Sequence, residues 1–268
     1  MKNNNRRVTF ISGTRADFGK LRPLIECLYN SGNFSVEIIA TGMHLLKKYG
    51  YTINEIYKSG FDSVFPIFNQ ESSVSEKMDI TVANTIIPLS HYINERDPDL
   101  IVIHGDRVEA LAGVIAGSLN NVAVAHVEGG EISGTIDESI RHAVSKMAHY
   151  HFVSNENSKK RLLQMGEQED RIFVIGSPEV DIMEGGNLPT IEDTLSRYSV
   201  PFDSYGLVIY HPVTTDAMNT EEKINQVISA LGAQNDNYII IGPNNDLSSE
   251  NKMFRLLQGD VGSGKTII

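Results

Sequence analysis

"LIVIHGDRVEALAGVIAGSLNNVAVAHV" (residues 100–127) holds two short apolar runs on either side of one helix-length segment. The runs, 100–105 and 122–127, are dominated by Val, Ile, Leu and Ala, as expected of strands buried on both faces of a parallel sheet. The segment between them, 107–120, is long enough for a crossover helix. Working outward, the same alternation recurs, with strands predicted at 6–12, 35–41, 62–67, 150–154 and 172–176, and helices at 19–31, 73–96, 137–148 and 156–166. This predicts an α/β chain built on a doubly wound, mostly parallel, Rossmann-like sheet. Right-handed crossovers then gather the loops that follow the strands at one edge, where ligands bind.

The first domain is expected over 1–183, followed by a Gly-, Pro-, Ser- and acid-rich linker over 184–205 that contains a short helix. A strand at 206–212, a helix at 220–233 and a strand at 238–244 begin an incomplete second Rossmann-like domain over 206–246. Residues 247–268 read as a foreign tail that ends in the phosphate-loop string "GDVGSGKT" (259–266).

Composition narrows the function. A net charge of −11 excludes a nucleic-acid surface, which needs clustered Lys and Arg to neutralise phosphates. The single Cys27 excludes a disulfide framework and a cysteine-rich zinc site, and fits a reducing cytoplasm. No apolar run is long enough to span a membrane, and the start reads as a first strand rather than a secretory leader. These features describe a soluble cytoplasmic enzyme.

Polar residues gather where the strands end. "SGTRADFGK" (12–20) offers Arg15 and Asp17 ahead of a helix N-terminus, or else is a generic polar loop. It lacks G-x-G-x-x-G, so no dinucleotide fingerprint is present. His44 follows the second strand, in a place where a lone histidine is often structural. Asp106 and Arg107 follow the fourth, with Asp106 as a helix N-cap the bland alternative. "EGGEISGTIDESIRHA" (128–143) is the densest stretch, with Glu128, Glu131, Asp137 and Glu138 ahead of Arg141 and His142. Thr135 or Asp137 can cap the helix there, yet capping does not require Glu128. Asp106, Glu128 and Asp137 follow successive strands and should meet at one edge, where repulsion and burial raise at least one pKa toward proton-transfer range. His142, His149 and His151 lack metal-ligand spacing and read as structural, and no serine sits in a G-x-S-x-G elbow.

"HGDR" (104–107), "HVEGGEISGTIDESIRHAVSKMAHYHFVSNE" (126–156), "HPVTTD" (211–216) and "SGTRADFGKLRPLI" (12–25) together resemble the hydrolysing UDP-N-acetylglucosamine 2-epimerases, over about residues 6–246. The resemblance implies a glycosyltransferase-B-like fold of two Rossmann-like domains. It also implies hydrolysis of UDP-GlcNAc to N-acetylmannosamine and UDP by way of a glycal, in sialic acid biosynthesis or a related pathway. Asp106, Glu128 and Asp137 then match the catalytic acids, His44 and Arg107 match substrate-site positions, and Arg15, His211 and Asn244 match positions that contact UDP. Gly19 departs from the animal relatives, which carry a nucleotide-contacting serine there. No metal or redox cofactor is implied, and a homo-oligomer is expected.

From about Leu247 the likeness changes. "LLQGDVGSGKT" (256–266) resembles the first motif of RecG-type DNA helicases, although the helix and magnesium acid of a working phosphate loop do not follow it. A fused remnant is expected, able at most to add a strand to the second sheet. The expected chain is therefore an epimerase impaired by truncation. An inactive ligand-binding or oligomerising remnant, and less plausibly a nucleoside-triphosphatase fragment, are the alternatives.

Overall fold

The computed structural model describes residues 5–70, 77–185, 188–210, 220–234, 236–241 and 255–257. It divides into two units, Met1–Leu188 and Pro189–Ile268. In the first, β1 (Arg6–Ser12), β2 (Phe34–Ala40), β3 (Val64–Pro66), β4 (Leu100–His104), β5 (Ala123–Val127), β6 (Tyr150–Val153) and β7 (Ile172–Val174) form one parallel sheet in the order β3-β2-β1-β4-β5-β6-β7. The winding direction reverses between β1 and β4, which opens a crevice beyond their C-terminal ends.

Seven helices accompany this sheet among the described residues: α1 (Arg15–Ser31), α2 (Ile53–Lys58), α3 (Met78–Arg96), α4 (Val108–Leu119), α5 (Ile136–Met147), α6 (Glu156–Gln164) and α7 (Pro178–Glu184). Alternate residues of each central strand feed opposite cores. Ile101 and Ile103 of β4 join Leu89 and Ile93 of α3, Val114 of α4 and Val144 of α5. Val102, between them, joins Phe18, Leu21 and Ile25 of α1 on the other face. That period of two, with both faces covered, is why the strands read as unbroken apolar runs.

Two boundaries differ from the sequence reading for identifiable reasons. Helix α1 begins at Arg15 rather than 19, because Thr14 caps it by accepting the Asp17 N–H at 3.2 Å. Helix α7 falls where only a strand end and a linker were expected; Ser177 precedes it, Pro178 opens it, and it packs on α1. Asp106 is not an N-cap: Arg107 holds that position on α4 and makes no side-chain capping bond.

The second unit carries α8 (Ile191–Arg197), β8 (Gly206–Ile209), α9 (Thr220–Gly232), β9 (Tyr238–Ile241) and β10 (Arg255–Leu257). β8 and β9 pair in parallel, and β10 adds antiparallel to β9 with Arg255 opposite Ile240. His211, Asn244 and the 259–266 string lie outside the described residues. No helix among the described residues is long and apolar enough to cross a membrane.

Helix α4 lies close on the sheet because it carries glycine at 117. A Cβ there would sit 2.6 Å from Val124 Cγ2 and 3.1 Å from Ile101 Cδ1. Gly117→Ala is therefore expected to destabilise the first unit by about 1–3 kcal/mol in urea unfolding. Gly134→Ala, where a Cβ meets nothing within 4 Å, should stay within about 0.5 kcal/mol of the parent.

Candidate active site

Three chain segments converge beyond the ends of β1, β4 and β5. His104 ends β4; Asp17 and Lys20 lie on the first turns of α1; Glu128 follows β5 directly, in the left-handed region at φ 59°. The His104 ring is held between two carboxylates, with Nδ1 3.1 Å from Asp17 Oδ1 and Nε2 3.0 Å from Glu128 Oε2. Lys20 Nζ donates to the same Glu128 oxygen at 2.6 Å, and Ser177 Oγ donates to the other at 3.2 Å. Thr14 Oγ1 donates to Asp17 Oδ2 at 2.9 Å.

Burial alone would push the His104 imidazole down, but its bonds and charge interactions with Asp17 and Glu128 outweigh this and hold it at about 9. Burial would likewise raise Glu128, yet His104 and Lys20 draw it down to about 2. Asp17 is also lowered: the His104 contact and the nearby Arg107 charge overcome the effect of its burial. At neutral pH the centre is therefore an imidazolium between two carboxylate anions.

Asp106 lies in the turn after β4, and its environment differs. Burial raises its pKa and the negative charge of Asp137 adds to the rise, while Arg141 and His104 oppose it. Arg141 donates to Asp106 Oδ2. Asp137 stands in the first turn of α5, where Thr135 caps the helix and donates to Asp137 Oδ2 at 2.8 Å. Glu138 accepts the Ser133 N–H at 2.6 Å and tightens the same turn. Asp106 thus feels Asp137 directly and shares the His104 charge with Glu128, and the pKa values of Asp106 and Glu128 are shifted in opposite directions.

The remaining expected positions divide. Arg15, at the start of α1, has a 69% exposed side chain and pairs with Glu55 at 3.2 Å. Arg107 points back toward the buried Glu109, at 3.5 Å, and toward Met43 Sδ. His44 is 1% exposed, with Nε2 2.9 Å from Ser12 Oγ and Nδ1 2.8 Å from Thr52 Oγ1. Through these bonds the ring supports the end of β1 from below. Burial, its largest influence, pushes its pKa down to about 4, so the ring is neutral.

Sequence reasoning named Asp17 and Arg141 without giving either a role, and it missed His104, Lys20 and His126. Fully buried, His126 donates from Nε2 to the Gly105 carbonyl at 2.7 Å and accepts from Ser145 at Nδ1. Burial drives its pKa down to about 3, which keeps the ring neutral and fixes the turn that carries Asp106. The sequence signal for the two histidines is their position at the apolar end of a strand.

A family model described as UDP-N-acetylglucosamine 2-epimerase matches residues 26–259, past the residue 246 at which the sequence likeness was drawn to end. A Neisseria meningitidis serogroup B protein named UDP-N-acetylglucosamine 2-epimerase is 42% identical over 94% of this chain and 67% of its own length. A Legionella pneumophila protein named UDP-N,N'-diacetylbacillosamine 2-epimerase (hydrolyzing) is 36% identical over 90% of this chain and 64% of its own. The chain thus spans about two thirds of the length of these relatives. In fold, it is similar to a Methanocaldococcus jannaschii UDP-GlcNAc 2-epimerase solved with UDP-GlcNAc and UDP. The TM-score is 0.73 at 22% identity, over 91% of this chain and 67% of that one.

The charge centre makes stability depend on pH in a defined way. His104 titrates near 6.5 when unfolded and about 9 when folded, so its contribution is complete below 6.5 and is lost as pH rises through 9. Glu128, at about 2 against 4.5, contributes above 4.5 and loses that contribution as pH falls through 2. His104→Gln should therefore destabilise the first unit by on the order of 1–3 kcal/mol between about pH 5 and 6.5, with the deficit shrinking toward about pH 10. Urea unfolding followed by circular dichroism reads it; a deficit flat across that range would mean that the ring sits there uncharged.

Proposed function

Because the chain belongs to the UDP-N-acetylglucosamine 2-epimerase family, we propose that it acts by the hydrolysing route, converting UDP-GlcNAc and water to N-acetylmannosamine and UDP. A base removes the proton at C2, the C1–O bond breaks with its electron pair going to UDP, and a glycal remains. Water then adds its oxygen to C1, and a proton returns to C2 from the opposite face. The observation that carries this reading is the shared edge of Asp106, Glu128 and Asp137, with Asp106 pushed up and Glu128 held at about 2.

The roles follow from those shifts. Asp106 is raised by burial and is 26% exposed at its side chain, which suits a group that gains and releases a proton. Glu128 stays anionic and pinned by Lys20 and His104, which suits stabilisation of positive charge at the anomeric carbon. Asp137, in the first turn of α5, serves as the second proton-transfer group. Arg15 at the α1 N-terminus, with His211 and Asn244, receives the UDP moiety in this reading, and Arg107 supports the sugar side.

The word "hydrolyzing" in the Legionella relative's name supports the hydrolytic branch, and the same name brings a second candidate sugar, N,N'-diacetylbacillosamine. Homo-oligomeric assembly and a cytoplasmic location belong to the same proposal. The RecG likeness of 256–266 is a separate proposal of a passenger segment without ATPase activity.

UDP release measured with UDP-GlcNAc and with UDP-N,N'-diacetylbacillosamine tests the reading. Release from UDP-GlcNAc is expected, falling by roughly 100-fold or more in Asp106→Asn and Glu128→Gln. Undiminished turnover in Glu128→Gln would overturn the site. UDP binding without release would favour a ligand-binding remnant instead.

A further inference from the structure

Arg141 is the only side chain among the described residues that hydrogen-bonds both the turn after β4 and the loop after β5 at this edge. One terminal nitrogen donates to the Asp106 carboxylate; the other donates to the Glu131 carbonyl at 3.2 Å and to Ser133 Oγ at 3.3 Å. The Arg141 side chain is 12% exposed, and its bonds to Asp106 and to the Glu131 carbonyl are partly buried. The far end of the loop has its own anchors. Glu131 Oε1 accepts from Asn155 Nδ2 and Ser158 Oγ, each at 2.9 Å, and Arg161 donates to the Gly130 carbonyl. Ser133 is also held through its N–H by Glu138, so loss of Arg141 would chiefly free the Asp106 carboxylate.

We propose that Arg141 is a positioning residue for the sugar-processing reaction: its forked guanidinium clamps the 105–107 turn to the 131–133 loop and sets the direction of the Asp106 carboxylate. This rests on the reading of Asp106 as a proton-transfer group. Arg141 follows Asp137 by one helical turn, so α5 presents a carboxylate and a guanidinium on one face. The charged groups around Asp106 are Arg141 and Asp137 from α5 and His104 from β4, with Glu128 coupled through His104. Arg107 faces Glu109, and the Glu131 carboxylate is turned toward α6. Arg141 is therefore the cation in direct contact with Asp106, and the planar fork that spans both loops is a shape Lys cannot reproduce.

The test uses the full chain labelled for carboxyl carbon NMR, with Arg141→Gln and Arg141→Lys. Arg141→Gln should raise the Asp106 titration midpoint by about one pH unit, since it removes the positive charge that favours the anion. Arg141→Lys should keep the midpoint near the parent but move the backbone amide signals of 132–134. In UDP release, both should lower kcat roughly tenfold with KM within about twofold. An unchanged Asp106 midpoint in Arg141→Gln overturns the proposal. If that variant does not fold, parent-like loop amides and kcat in Arg141→Lys overturn it instead. The titration does not depend on turnover. A shifted midpoint in a chain that releases no UDP sinks the hydrolytic reading and leaves the clamp standing.

Discussion

The buried Asp17 and the partly buried Glu128 meet the two sides of one imidazole at the sheet edge, and that ring is the cation they share. Without a cation there, desolvation and mutual repulsion would drive one carboxylate to bind a proton. With His104 bonded to both, Glu128 falls to about 2 and the ring rises to about 9. The three groups come from α1, β4 and the end of β5, so the ionic contact also fixes the mutual placement of the segments that line the crevice. Removing His104 would leave the buried Asp17 carboxylate without its bonded cation, while Glu128 would keep Lys20.

The second carboxylate environment is built by contrast. Asp106 lies one turn of chain away from His104 but lacks a direct bond to it, and its partner is Arg141. A neutral His126, bonded to the Gly105 carbonyl, holds that turn without adding charge. Two acids on adjacent loops thus differ in proton affinity: His104 and Lys20 lower Glu128, while burial raises Asp106 against the pull of Arg141. Glu109 supports the floor below: it is buried between the ends of β1 and β2, and a Cβ on Gly42 would come within 2.4 Å of its Oε1.

The frame was legible in the sequence because β4 and β5 are buried on both faces and show it as unbroken apolar runs. That the segments carrying Asp106 and Glu128 leave the sheet side by side was legible from topology, since β4 and β5 are neighbouring parallel strands. The role of His104 was not legible, because its partner Asp17 lies 87 residues away and only the fold makes them neighbours. The bonds of His44 to Ser12 and Thr52 likewise leave no mark in the local pattern, which offers only a lone histidine beyond a strand. Helix α7 was hidden by Pro178, which signals a break in isolation and a helix start once Ser177 precedes it.

Ser177 donates a hydrogen bond to Glu128, and the helix it introduces packs against α1. Those contacts join the C-terminal end of the first unit to α1 near the start of the chain and to Glu128 near its middle. During synthesis, every strand of this sheet leaves the ribosome before Ser177 does, so the last neighbour of Glu128 arrives only after the sheet is already available. A nascent chain halted before α7 would expose an assembled frame whose key carboxylate still lacks one of its donors.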